Sequence, residues 1–345
     1  MTRVARLSWL GLLLAIAGCG GGSSSAGDRG FLSFGTAPPG GAFFVVGGAL
    51  TEVLNARPDE GWQVTAEATS GSQENIRRLA TGELDFALSN AAITYFAVRG
   101  TEGWDPAYPM RTVMTLAPNV ALFLTKSTSG VATIGDLKGK RVVIGPAGAG
   151  FEYFVRPLLA AHGLDYDDFS PVNANQAAAV DMLADGSVAA AFLGGAVPTS
   201  SITQAASGRD VVLVPLGAAE RAALIEQYPF FEAVEIPADT YPGQTEAYAG
   251  LDVGSMHLIV AADADEALVY RVTKTIYEKR EDVVERHAAG RAINPKNVVR
   301  DTGTPFHPGA IRYYEELGIW PDANEAAVPK APGSGESDEP DGDAS

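Results

Sequence analysis

Short apolar runs with the two-residue period of a strand alternate, along this chain, with stretches whose apolar residues return every three or four positions. Glycine-rich loops join the two kinds of segment, and the same order occurs twice. The first block reads Phe31-Leu32-Ser33-Phe34, then Gly35-Thr36-Ala37-Pro38-Pro39-Gly40-Gly41, then a helical run from Ala42 to Asn55. The second reads Arg141-Val142-Val143-Ile144, then Gly145-Pro146-Ala147-Gly148-Ala149-Gly150, then a helical run from Phe151 to His162. In both, the glycines fall where a strand turns into a helix. Unpaired amides and the positive end of the helix dipole meet there, which suits a bound carboxylate or other anion. Two such turns predict two lobes that close as a clamp.

Each block continues in the same grammar. In the first half, Val64–Ala68 reads as a strand and Thr69-Ser70-Gly71-Ser72 as a loop. A helix is expected from Gln73 to Thr81, stopped by Gly82, and then the strand Leu84–Leu88 ending at Ser89-Asn90. In the second, Pro171-Val172, the loop Asn173-Ala174-Asn175, a helix through Val180, Met182 and Leu183 to Gly186, and the strand Val188–Leu193 before Gly194-Gly195-Ala196 repeat the series. Ile76, Leu79 and Gly82 match Val180, Leu183 and Gly186 at one constant offset. The duplication predicts an α/β fold of two similar lobes with mostly parallel sheets, whose ligands sit outside the carboxyl ends of the strands. Val120–Thr125 and Met256–Ala261 are expected to cross between lobes. The first lobe is then discontinuous (30–120 and 258–320, including helices over Ala267–His287 and Pro308–Leu317), with the second lobe at 121–257 between its parts.

The two ends of the chain read differently. Arg3 and Arg6 precede an apolar run, Leu7–Ala17, too short to span a bilayer, and Ile16-Ala17-Gly18-Cys19 matches a lipoprotein processing site. The expectation is a leader over 1–18, lipidation of Cys19, and a Gly/Ser tether over 19–29 holding an extracytoplasmic body at a membrane. Cys19 is the only cysteine among 345 residues, which excludes disulfides and thiolate metal centres. Residues 321–345 carry seven acids against Lys330 and no aromatic residue, and are expected to be disordered. Removing the net −6 of this tail and the two leader arginines from the formal −17 leaves −13 for the body. Such a body repels nucleic acid and gives no long-range attraction to an anionic solute, so an anion site must work through local dipoles.

Other chemistry finds little support. Gly145–Gly150 is neither a phosphate-binding P-loop nor a dinucleotide fingerprint. Ser72 lacks a nucleophile elbow and an assignable base. His162, His257, His287 and His307 have no second ligand at helical spacing, so neither metal nor other cofactor is expected. Ser70 with Gln73 fits a capping box, although a cap at a strand's carboxyl end also faces the cleft. Of the aromatic residues after the loops, most are expected in the core, with Phe44 and Phe151 as the candidate pocket walls.

Gly35-Thr36 through Gly40-Gly41, Thr69-Ser70-Gly71-Ser72 with Glu74-Asn75, Thr81-Gly82-Glu83-Leu84-Asp85, and Asp136–Val142 leading into Gly145-Pro146 come in this order. Pro198-Thr199 ahead of Ile202, Tyr241-Pro242-Gly243-Gln244, and His307–Ala310 before Tyr313–Glu316 complete the set. Together they resemble the solute-binding proteins of TRAP transporters, specifically the TAXI family, over nearly the whole folded body. The resemblance implies a two-lobed, periplasmic-binding-protein-like (Venus flytrap, type II) α/β fold joined by crossing strands. It implies a monomeric receptor without catalysis, which delivers a glutamate-, glutamine- or 2-oxoglutarate-like solute to a TRAP permease subunit.

By position, the resemblance places Thr36, Gly40, Gly41 and Phe44 in the first ligand loop, with Thr69, Ser70 and Ser72 in the second. Asn90 falls at the strand end, Gly148, Ala149, Gly150 and Phe151 in the second-lobe loop, and Thr199 after that lobe's last strand. The chain departs from the family at Phe43-Phe44, Ala149, Phe151 and Ser89-Asn90, losing hydroxyl and amide donors. These losses suggest a less polar or differently shaped carboxylate. The rival expectations are a ligand sensor serving a membrane signalling partner and an exported small-molecule hydrolase.

Overall fold

The computed structural model describes residues 30–39, 41–207 and 210–321. The expected leader, Cys19, the tether, Gly40 and the tail beyond Pro321 lie outside the described residues. The first half runs β1 (Phe31–Gly35), α1 (Ala42–Asn55), β2 (Gln63–Glu67), α2 (Ser72–Ala80), β3 (Phe86–Asn90), α3 (Ala91–Arg99) and β4 (Met110–Thr115). There follow β5 (Phe123–Lys126), β6 (Arg141–Gly145), α4 (Glu152–Ala161), β7 (Ser170–Asn173), α5 (Gln176–Asp185), β8 (Ala190–Phe192), α6 (Ser200–Ala206) and β9 (Val211–Val214). The chain continues with α7 (Ala218–Gln227), β10 (Phe231–Ile236), β11 (Tyr248–Val253), β12 (Met256–Ala261), α8 (Glu266–Glu278), α9 (Arg280–Arg286) and α10 (Pro308–Glu316).

Among the described residues the strands form two five-stranded sheets, ordered β2-β1-β3-β12-β4 and β7-β6-β8-β5-β9, and one hairpin, β10-β11. In the first sheet β1, β2 and β3 are parallel and only β12 runs against its neighbours. In the second β6, β7 and β8 are parallel and β5 runs against both its neighbours. The two sheets therefore share one plan, and each takes its antiparallel strand from beyond its own parallel run. This is the two-lobed α/β architecture expected; each sheet with its covering helices is called a lobe below.

The local reasons are visible in the sequence. Helix α1 turns Val46, Ala49, Leu50, Val53 and Leu54 inward, the spacing of one helical face. Gly47 lets it approach β1, because a Cβ there would lie 2.4 Å from Thr36 Cγ2. The repeated stop signals behave alike, Gly82 and Gly186 adopting φ of 71° and 79°, the left-handed terminator open to glycine. The expected helix over Ala267–His287 is instead two helices that break at Lys279 (φ −102°), after which α9 begins a new axis.

Two segments pass between the lobes, 116–122 after β4 and 254–255 before β12. The first of them pairs with the end of β11 and the start of β12: Ala121 N donates to Leu251 O and Val253 N to Asn119 O, both at 2.9 Å, and Met256 N to Ala117 O. The crossing stretch read as Val120–Thr125 thus becomes a strand of the second sheet only from Phe123; Val120 makes isolated bridges to Gly195 and Asp252. Beside this ribbon Asp252 is fully buried. Its carboxylate accepts from Asn119 N at 2.9 Å and from Ser255 Oγ, and pairs with Arg300 at 3.3 Å; Arg300 also reaches Glu232 at 2.9 Å. Burial outweighs the arginine here and lifts the Asp252 carboxyl to about 6.

The histidines are structural. His257 is fully buried, joined through Nε2 to Thr94 Oγ1 at 2.8 Å, and desolvation lowers it to about 3, so the ring is neutral. His162 closes α4, accepting from Gly217 N, and His307 caps α10, accepting from Gly309 N. Among the described residues no group of three His, Cys, Asp or Glu could hold a metal ion, and no helix is long and apolar enough to cross a membrane.

Candidate functional site

Strand carboxyl ends and helix N-termini of both lobes open onto one cavity of about 340 Å³. From the first lobe it takes the β1–α1 loop (Ala37–Pro39, Gly41–Phe43), the start of α2 (Ser70–Ser72) and the β3–α3 junction (Asn90, Ile93). From the second it takes the β6–α4 loop (Pro146, Ala149, Phe151), the start of α5 (Asn175–Ala177), Gly194-Gly195 and the start of α6 (Ser200, Ser201, Gln204). Asn119 enters from the crossing ribbon. The lobes touch beside it: a Cβ on Gly150 would lie 2.8 Å from Ile93 Cδ1 and 3.1 Å from Gln73 Cγ, and Tyr153 packs against Phe96 and Trp104.

Of the sequence-derived candidates, Gly41, Ser70, Ser72, Asn90, Ala149 and Phe151 line this cavity; Gly40 lies outside the described residues. The others do not reach it, for different reasons. Thr36 is buried, its Oγ1 donating to Glu67 O at 2.7 Å, and Thr69 Oγ1 donates to Thr36 O, so both hydroxyls bind strand ends together. Phe44 is half-buried away from the cavity, and Phe43 takes the wall position expected of it. Once the helix begins at Ala42, one residue shifts direction by about 100°. Gly148 is an exposed turn residue, and Gly150 faces the first lobe's helices instead of the cavity. Thr199 is held one residue short, its N donating to Tyr241 Oη at 3.0 Å and its Oγ1 to Ala196 O, so Ser200 and Ser201 line the cavity in its place.

The expected capping box at Ser70 and Gln73 is absent. Helix α2 begins at Ser72 after Gly71 at φ 119°, and Glu74 accepts from Ser70 N at 2.8 Å. Ser72 Oγ instead accepts from Asn90 N at 3.0 Å, tying α2 to the end of β3. Asn90 spends its side chain on structure: Oδ1 caps α3 at Ala92 N, and Nδ2 donates to Gly254 O at 2.7 Å and Val253 O at 3.3 Å. Gly254 (φ 104°) leaves room for it, as a Cβ there would meet Asn90 Oδ1 at 2.6 Å. Asn90→Ala removes a cap worth about 1 kcal/mol and strands two carbonyls, so urea unfolding is expected to show a loss of roughly 2–3 kcal/mol.

Sequence reasoning missed Asn119, Gln176 and Ser200-Ser201. The rule that ligands sit at strand carboxyl ends already pointed to Asn173–Asn175 and Gly194–Ala196, so Gln176 lay one residue beyond a marked loop. Gln176 Nε2 donates to Gly194 O at 2.7 Å and its Oε1 accepts from Ser201 Oγ at 2.8 Å, which fixes α5 to α6. Nothing local marks Asn119; it reaches the cavity because the ribbon crosses there.

The electrostatics are set by dipoles. Among the described residues no Asp, Glu, Lys, Arg or His lines the cavity. Helices α3 and α5 are capped by the side chains of Asn90 and Asn175, whereas α1, α2, α4 and α6 begin after Gly41, Gly71, Phe151 and Thr199 with no side-chain cap. Their free amides are the cavity's positive ends. Asn119 is 6 % exposed; both its backbone groups are paired, and its carboxamide has no partner among the described residues.

Solved structures share this fold at low identity. The alkanesulfonate-binding protein SsuA from Xanthomonas axonopodis pv. citri, bound to MOPS, is 19% identical with a TM-score of 0.50 over 86% of each chain. The Xanthomonas citri protein XAC2383, bound to ATP, is 11% identical with a TM-score of 0.50 over 84% of this chain and 97% of that one. Both similarities are of fold, the two-lobed architecture of periplasmic binding proteins. A family pattern matches residues 34–318, nearly the entire described body, and the chain accordingly belongs to the NMT1-like family.

Proposed function

We propose that this chain is an extracytoplasmic solute-binding receptor, anchored through Cys19, that closes two lobes over a small carboxylate-bearing solute and delivers it to a TRAP permease of the TAXI type. The observation that carries the reading is the cavity between the lobes, onto which the uncapped N-termini of α1, α2, α4 and α6 open. Free amides at a helix start receive an anion without a charged side chain, which suits a body carrying −13. The crossing segment 116–122, paired with the end of β11 and the start of β12, supplies a place for hinge bending.

Native mass spectrometry of the protein purified without unfolding is expected to show one small acid per chain, released on mild denaturation. A bare chain, together with no thermal shift from any organic acid, refutes the receptor reading. Lipid anchoring is checked separately: labelled fatty acid is expected in the full-length protein and absent from Cys19→Ala.

A further inference from the structure

We infer that Phe151 sets the largest solute the cavity accepts: its ring is a fixed end wall, and the apolar body of the solute stops against it. This deepens the receptor reading above and rests on it. The first observation is how the ring is held. Phe151 stands one residue before α4 and lines the cavity from the second lobe. Its ring centroid lies 5.2 Å from that of Phe154 and 5.8 Å from that of Phe192. Phe192 in turn faces Phe123 across the β8–β5 pair, with centroids 5.1 Å apart. A column of rings therefore runs from the cavity wall into the second sheet, and Phe154, Phe192 and Phe123 behind the wall are each at most 1 % exposed. Tilted and edge-on ring pairs of this kind fix one another's orientation.

The second observation is Gly145. It ends β6 at φ 110°, and a Cβ there would fall 2.2 Å from Phe151 Cδ2 and 2.7 Å from its Cγ. One edge of the ring thus takes the space that a side chain at 145 would need. With Phe154 and Phe192 behind it and the end of β6 against its edge, the ring has no slack to retreat, as expected of a close-packed interior. The third is Phe154, which lines the same cavity although it is only 1 % exposed. Phe151 covers it. A solute too long for the cavity must displace a packed ring, whereas loss of that ring extends the cavity towards Phe154. Pro146 and Ala149 complete an apolar surface at this end, which receives hydrocarbon.

The test is a length series in calorimetric titrations of the full chain, with the unbranched carboxylates from butanoate to decanoate as probes. Wild-type affinity is expected to rise with each methylene up to a limiting length, and to fall at least about tenfold beyond it. Phe151→Leu should lengthen the limit by about one carbon and Phe151→Ala by about two to four, because the site collapses only partly around the deleted ring. Gly145→Ala supplies the Cβ whose place the ring occupies, drives the ring into the cavity and should shorten the limit.

Phe151→Leu keeps a large apolar side chain against Phe154 and Phe192 and guards against loss of folding, which thermal unfolding checks. A purely structural Phe151 would lower every affinity by a similar factor and leave the limit in place. That result in the folded variants overturns the inference and leaves the receptor reading intact, and so does a wild type that shows no limit up to decanoate. No binding by any acid of the series, when native mass spectrometry shows a bound molecule, overturns the inference alone. A bare chain in that experiment, again with no acid bound, overturns both.

Discussion

Arg300→Met is expected to lower the unfolding free energy by roughly 3–5 kcal/mol near neutral pH, the range seen when one member of a buried ion pair is removed. Asp252 is fully buried beside the crossing ribbon, and Arg300 is the cation that faces it. Without the guanidinium the carboxylate must stay charged without a partner or take up a proton. The pH dependence separates this from a simple packing loss. The carboxyl stands at about 6 in the fold against 3.8 when free, so its contribution to stability is complete below about 4 and is lost as pH rises through 6. In Arg300→Met the carboxyl rises further, and the deficit against wild type should be largest at pH 8 and shrink towards pH 5. Urea unfolding at both values checks this; a deficit unchanged by pH would show that Asp252 is not the group responsible.

Gly150→Leu is expected to weaken binding of the cognate acid on the order of 100-fold while leaving each lobe folded. A Cβ at this position already falls 2.8 Å from Ile93 Cδ1 and 3.1 Å from Gln73 Cγ, and both of those residues belong to the other lobe. A leucine there wedges the lobes apart, so closure must first overcome an overlap, and its positive φ of 88° adds strain in either state. Solution scattering should show a more open molecule, and thermal unfolding of the unliganded chain should fall by only a few degrees. Ile93→Ala in the same chain removes the first contact and should restore part of the affinity. An unchanged scattering profile with unchanged affinity would mean that closure does not pass through this contact.

Both predictions concern contacts that local sequence does not display, although each rests on elements that it does. The strand β1, the helix α1 and the loop between them follow from period and composition, and α1 spans Ala42–Asn55 as read. The repeat of Ile76, Leu79 and Gly82 in Val180, Leu183 and Gly186 signalled a duplicated plan, and the two sheets carry it out strand for strand. The capping box at Ser70 failed because the helix starts after Gly71, one residue later, and Glu74 instead of Gln73 accepts from Ser70 N. Phe43 and Phe44 are equivalent to any pattern of hydrophobicity. Only the direction in which α1 leaves its loop separates them.

Period, turn chemistry and glycine placement, all properties of neighbouring residues, therefore determined the elements, their order, their duplication and the loops that meet at the cleft. Tertiary structure alone decided which members of those loops face the cavity, because side-chain direction changes by about 100° per helical residue. It also decided that Asn119 lies in the site with its amide unpaired, and that Asp252 is buried against Arg300. In both cases the deciding partners lie far along the chain, beyond the reach of any local rule.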